Sequence, residues 1–120
     1  HEGPQRISKL PSRVALQPGM VVSNEPGYYK QGAYGIRIEN LVVVTSMGIP
    51  HGGELEMLGF DTLTLAPLNA RLIDYELLEP AEIDWLDAYH QQVWESLSPL
   101  VDASTRDWLE AATLPVRLGD

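Results

Sequence analysis

The chain has no cysteine, and it is short of positive charge. Eight Lys and Arg stand against seventeen Asp and Glu among its 120 residues, for a formal net charge of -9. Without cysteine there is no disulfide framework and no thiolate chemistry, which is compatible with a reducing, cytoplasmic compartment. The shortage of cations argues against nucleic-acid or anionic-membrane binding as the main task. No apolar run reaches the length of a membrane span, and no signal peptide is legible. An initiator methionine is also lacking. The chain opens on His1-Glu2-Gly3-Pro4, inside what reads as a motif, so we read it as the C-terminal piece of a longer protein. Its length suits one folded unit.

The informative stretch is Ser23-Asn24-Glu25-Pro26-Gly27-Tyr28-Tyr29, followed by Gly35-Ile36-Arg37-Ile38-Glu39-Asn40. Each half places one glutamate on an apparent β-strand. Successive strand side chains point to opposite faces. Arg37, Glu39, Leu41 and Val43 therefore share one face, and Ile36, Ile38, Asn40 and Val42 the other. In the first half Val21, Ser23 and Glu25 share a face. Antiparallel pairing would bring Glu25 and Glu39 to one face of neighbouring strands, with Cβ atoms about 4.5–5.5 Å apart if directly opposite. Carboxylates that close repel unless a cation lies between them. The candidates are a metal ion or a guanidinium, and Arg37 supplies a single charge. Arg37 reads either as a cross-strand ion pair or as a group that orients Glu39, since a guanidinium binds a carboxylate as a planar fork. Glu39 lies between Ile38 and the run Leu41–Val44, which places it off the open surface. Pro26-Gly27 should end the first strand just after Glu25.

The remaining pattern is α+β: a small antiparallel sheet of three or more strands, then two helices. Residues 1–12 read as a loop. Pro18-Gly19 turns into a strand from Met20 to Glu25. Gly27–Gly32 is a connection carrying Tyr28 and Tyr29, and Gly35–Thr45 is the strongest strand signal. Ser46–Met57 is loop-like, with His51 in solvent. Phe60–Leu65 alternates as a further strand with Asp61 exposed. Pro80 opens a helix at its first position, with Ile83, Leu86, Tyr89 or His90, Val93 and Leu97 along one face, ending before Pro99. His90 reads as a packing group rather than a ligand, because no second ligand lies one turn away. Ser104–Asp107 resembles a capping box for a second helix, Thr105 to Ala112, with Trp108 and Leu109 turned inward. Trp and Tyr are enriched at interface cores, so the two helices are also candidates for a homodimer contact.

Taken together, His1-Glu2-Gly3-Pro4, Asn24–Tyr29 and Gly35–Asn40 resemble, in order and spacing, the last part of the catalytic domain of aminopeptidase P (Xaa-Pro aminopeptidase), a pita-bread metallopeptidase. Leu63–Leu68, Arg71–Asp74 and Trp85–His90 resemble the C-terminal extension of its larger, cytosolic-type members. The resemblance implies a pita-bread fold, with residues 1–78 the end of the catalytic domain and residues 79–120 a helical extension in one compact unit. It implies a dinuclear exopeptidase acting on peptides with proline in second position. Its two divalent ions are commonly manganese, with zinc or cobalt also compatible with oxygen ligation. Glu39 would bridge both ions. Glu25 would ligate one and handle the proton of the attacking water. His1 would hydrogen-bond the substrate near the scissile peptide, Tyr29 would lie near the substrate, and Arg37 would orient Glu39. The family's two aspartate ligands and its histidine ligand would precede residue 1. The isolated chain is therefore expected to bind divalent metal poorly and to hydrolyse nothing. The alternatives are a prolidase-like dipeptidase piece and a non-catalytic dimerisation or binding module.

Overall fold

Two facing runs of alternating residues fold back on each other, and their pairing sets the rest of the first unit. A computed structural model describes residues 3–115. The chain divides between Thr64 and Leu65 into two compact units.

In the first unit, β1 (Val21–Asn24), β4 (Asn40–Gly48) and β5 (Met57–Thr62) form an antiparallel sheet in the order β1-β4-β5. Strands β2 (Gly27–Lys30) and β3 (Tyr34–Arg37) form a separate two-stranded ribbon. Pro18 and Gly19 form the expected turn into β1. Gly19 adopts a φ of +88°, which its missing Cβ permits, and donates its amide to the Val44 carbonyl. Along β4 burial alternates as the residues dictate: Asn40, Val42 and Val44 are buried and Leu41 is exposed. Val22, Val42 and Val44 form the unit's apolar centre, each worth about 1.5–3 kcal/mol of burial.

Strand β1 ends at Asn24, just before Glu25 and Pro26, as expected. Three other expectations are corrected here. Pro26 has no N–H to donate, but its carbonyl accepts the Ile38 amide at 3.2 Å, so pairing resumes on the far side of a two-residue break. Tyr28 and Tyr29 therefore lie in β2, not in a connection. The expected loop after Ser46 begins later, because β4 runs to Gly48 through an irregularity between Ser46 and Gly48. Strand β5 begins earlier than expected, at Met57. His51 and Asp61 are exposed, as expected.

In the second unit, α1 (Pro80–Leu97) starts on Pro80, and the Glu79 amide donates to the Glu82 carboxylate at 2.9 Å. Ile83, Leu86, Tyr89, His90 and Val93 are buried along its face. Tyr89, Val93 and Leu109 form the core, flanked by Leu65, Leu68, Trp94 and Leu97. The second helix, α2 (Ala103–Ala112), begins two residues earlier than expected. Its cap is Asp102, which accepts the Thr105 amide at 2.8 Å and the Ser104 hydroxyl at 2.9 Å. Those hydrogen bonds hold the Asp102 carboxyl below its ordinary value, led by the Thr105 amide. Leu109 is buried, but Trp108 is 60% exposed. Adjacent helical residues point about 100° apart, so one inward-facing position excludes its neighbour.

Candidate functional site

The site grows from a register. Strand β1 pairs with β4 so that Asn24 faces Asn40, and β2 pairs with β3 so that Gly27 faces Arg37. The two ladders share one register, and the Ile38 amide to Pro26 carbonyl bond carries it across the break. Continued through that break, it sets Glu25 opposite Glu39. Both glutamates lie on the face that carries Ser23, Gly27 and Tyr29 on one strand and Leu41, Arg37 and Gly35 on the other.

Arg37 lies between them. Its Nε is 3.0 Å from Oε2 of Glu39, and its Nη1 is 3.6 Å from Oε2 of Glu25. The other Glu25 oxygen, Oε1, accepts the Ser23 hydroxyl at 2.8 Å. Glu25 is thus held at both oxygens, by a neutral donor from its own strand and a cation from the next. Ser23 has no assigned role from sequence reasoning. Its signal was there, a hydroxyl two residues before a strand carboxylate and on the same face.

Glu39 is more open than its apolar neighbours suggested. Its side chain is 36% exposed, against 28% for Glu25. The reason lies in those neighbours: Ile38 and Leu41 are themselves exposed, so they do not screen it. A recess of about 250 Å³ beside Glu25 is lined by Gln5, Arg6, Ser8, Val22 and Ser23 among others. Tyr29 lies on the same strand face as the glutamates, directly opposite Gly35. His1 lies outside the described residues. The structure therefore brings together Glu25, Arg37 and Glu39, with Tyr29 on their face.

Two carboxylates in register form an oxygen-donor pair suited to a hard divalent cation. Among the described residues no third His, Asp, Glu or Cys joins them. His90, the other candidate by residue type, belongs to the second unit. It is fully buried, and its Nε2 accepts the Leu68 amide at 3.1 Å. Burial lowers its pKa from the ordinary 6.5, opposed in part by the Asp87 carboxylate and the backbone of Leu114 and Leu68. It is a packing and hydrogen-bonding group, as expected.

The hairpin presents two acids on one face at a break in its ladder, and comparison with known proteins supplies the class. Residues 1–46 match the model of metallopeptidase family M24, and residues 56–116 match the C-terminal region of peptidase M24. The chain belongs to this family, in the part that carries its C-terminal region. It is 48% identical to aminopeptidase P2 of Arabidopsis thaliana over 97% of its length, and 46% identical to a probable Xaa-Pro aminopeptidase P of Coprinopsis cinerea over the same share. It spans 17% and 20% of those two proteins. Among solved structures it matches the X-prolyl aminopeptidase of Caenorhabditis elegans, described as a cytosolic enzyme with a di-nuclear active site. That match has a TM-score of 0.78 at 33% identity and covers 91% of this chain and 18% of the other. The small antiparallel sheets followed by two helices are thus the C-terminal portion of the pita-bread fold expected from the sequence.

Proposed function

We propose that this chain is the C-terminal part of a dinuclear Xaa-Pro aminopeptidase, which removes the N-terminal residue from peptides with proline in second position. The observation that carries the reading is the placement of Glu25 and Glu39 within reach of one guanidinium on one hairpin face. The names of the relatives support the substrate class.

In this reading Glu39 would be a ligand shared by two divalent ions, manganese by preference, and Glu25 a ligand of one of them. Bound ions of this kind supply an activated water and polarise the scissile carbonyl. Arg37 fixes the Glu39 carboxylate through Nε, and the Ser23 hydroxyl fixes Oε1 of Glu25, so both acids keep one orientation. Glu25 would take up the proton of the attacking water at its carboxylate. His1 donates a hydrogen bond to the substrate, and Tyr29 lines the path of the peptide. Residues 1–78 close the catalytic domain in this reading, and residues 79–120 are its helical extension. The domain is cytoplasmic, in keeping with the description of the worm enzyme. Among the described residues no helix is long and apolar enough to cross a membrane.

A second, compatible role is self-association through the helices. It is favoured by the exposure of Trp85 and Trp108, which costs a monomer apolar surface in water.

The test uses the full-length protein with Glu25→Gln and Glu39→Gln, assayed on a proline-containing tripeptide and on an Xaa-Pro dipeptide. Loss of bound manganese and loss of tripeptide cleavage are expected from both variants. Undiminished cleavage by Glu39→Gln would overturn the reading, and cleavage of the dipeptide alone would transfer it to prolidase.

A further inference from the structure

Two glycines inside the β2–β3 ribbon have no backbone reason to be glycine. Positive φ values occur at Gly19, Gly32, Gly48 and Gly52, but not at Gly27 or Gly35. Both lie in regular antiparallel pairs, Gly27 opposite Arg37 and Gly35 opposite Tyr29. Glycine weakens a strand interior, and where it persists it marks a close approach. Here the approaching group is a single ring. A Cβ built on Gly35 would lie 2.9 Å from Cδ1 and 3.2 Å from Cε1 of Tyr29. A Cβ built on Gly27 would lie 2.8 Å from the Tyr29 hydroxyl oxygen and 3.0 Å from Cζ and Cε2. One edge of the ring covers Gly35, and the other edge and the hydroxyl cover Gly27. The phenol lies flat across both strands, its oxygen pointed along the ribbon toward the end where Arg37 and the glutamates stand.

We propose that Gly27 and Gly35 are positioning residues, whose missing side chains lay Tyr29 flat on the ribbon and deliver its hydroxyl to the carboxylate-bearing face. This rests on the peptidase reading for its consequence, because the hydroxyl is then presented to the bound peptide. It does not rest on that reading for its geometry. At Gly27 the three nearest atoms all belong to Tyr29, and at Gly35 the next atom beyond its ring is the Tyr28 carbonyl oxygen at 3.9 Å, so Tyr29 is the group that must yield first. Its ring is exposed on its outer side and can swing away without disturbing the core. A methyl at either glycine therefore displaces the ring while the hairpin stays folded. The Gly35→Ala methyl meets no atom of Glu25, Glu39 or Arg37 within 3.9 Å.

The experiment makes Gly27→Ala, Gly35→Ala, Tyr29→Ala and the double variant Gly35→Ala/Tyr29→Ala in the full-length protein. Two readouts are taken. The first is the position of the Tyr29 ring, from a fluorinated tyrosine at that site observed by fluorine NMR, with Gly27→Ala and Gly35→Ala each expected to shift and sharpen its resonance. The second is the kinetics on a proline-containing tripeptide. Each glycine variant is expected to lose kcat/KM by about 10- to 100-fold, the cost of a misplaced positioning group, with metal content and melting temperature kept. Adding Gly35→Ala to Tyr29→Ala is expected to change nothing further. An unmoved resonance in both glycine variants would overturn the proposal whatever the activity. So would losses that add in the double variant, since they would mark the glycines as merely structural. A displaced ring in a protein that never cleaves the peptide would instead leave the placement standing and remove the peptidase reading. Should Gly35→Ala fail to fold, Gly27→Ala carries the same test at the hydroxyl end.

Discussion

Arg37 and Glu39 sit two residues apart on one strand face, and the arginine Nε reaches back to the carboxylate at 3.0 Å while its Nη1 faces Glu25 at 3.6 Å. One positive charge is thus shared between two acids that the hairpin register sets opposite each other. The arrangement is asymmetric, with the shorter contact to Glu39.

Removing that charge leaves two carboxylates facing each other. All three side chains are about a third to a half exposed, so solvent screens the effect. Arg37→Gln should lower the stability of this chain by about 0.5–1 kcal/mol at low ionic strength. The loss should shrink towards zero in 1 M salt, where the screening length is about 3 Å. Urea melts at the two salt concentrations check both. A loss independent of salt would mean the arginine acts through packing.

Ser23 matters to Glu25 rather than to the fold. In the full-length protein, Ser23→Ala should weaken divalent-metal affinity by about tenfold or more, the usual cost of losing a group that orients a ligand. Ser23→Thr should restore it. Manganese titration followed by calorimetry reads this directly, and equal affinity in Ser23→Ala would show Arg37 alone orients Glu25.

The 120-residue chain by itself should show weak manganese binding and no cleavage of an Xaa-Pro peptide, because the described residues bring only two carboxylates to the site. Equilibrium dialysis and a peptide assay with added manganese test it. Turnover at the rate of the full-length protein would contradict it.

Tyr89 closes the second unit onto Ala66. Its hydroxyl donates to the Ala66 carbonyl at 2.8 Å and accepts the Ala66 amide at 3.3 Å. Tyr89→Phe keeps the ring, including its stacking on Trp85 at 5.4 Å, but takes the hydroxyl from both backbone groups. It should cost about 0.5–1.5 kcal/mol, the net worth of a hydrogen bond whose backbone partner, the exposed Ala66, can turn to water. Chemical denaturation measures the loss.

His90 predicts the sign of a pH effect. Its folded-state pKa is lowered by burial, so the unfolded chain binds the proton more readily. The stability it contributes is complete above about pH 6.5 and is lost as pH falls from there towards its lowered folded value. Stability should therefore decline on acidification below neutrality, and His90→Gln should flatten that part of the curve. Denaturant midpoints between pH 7.5 and pH 5 check the slope; a rise on acidification would reverse the argument.

Much of this was legible before any coordinates. The alternation Ile36–Val43 placed Glu39 and Arg37 on one face and Asn40 and Val42 on the other, because a strand's period of two leaves no freedom once its pattern is fixed. The helical period put Ile83, Leu86, Tyr89 and Val93 on one stripe, and Pro80 marked where the helix starts. What was misread shares a cause. The residues after the Pro26 stop read as a connection, yet the Pro26 carbonyl still pairs and strand β2 follows. Ser104 reads as a cap, yet Asp102 two residues earlier takes that place, since caps are chosen by backbone turn as well as by residue type. Trp108 reads as core, yet Leu109 holds the inward position.

By itself the sequence determined the strand faces, the helix stripe and the acidic pair, since each follows from a local period and from residue chemistry. Only the tertiary structure decided that both ladders share one register, that Arg37 stands between the two acids, and that Tyr29 lies across Gly27 and Gly35. These depend on which residues meet across strands, and no local pattern encodes the distance between side chains brought together by pairing.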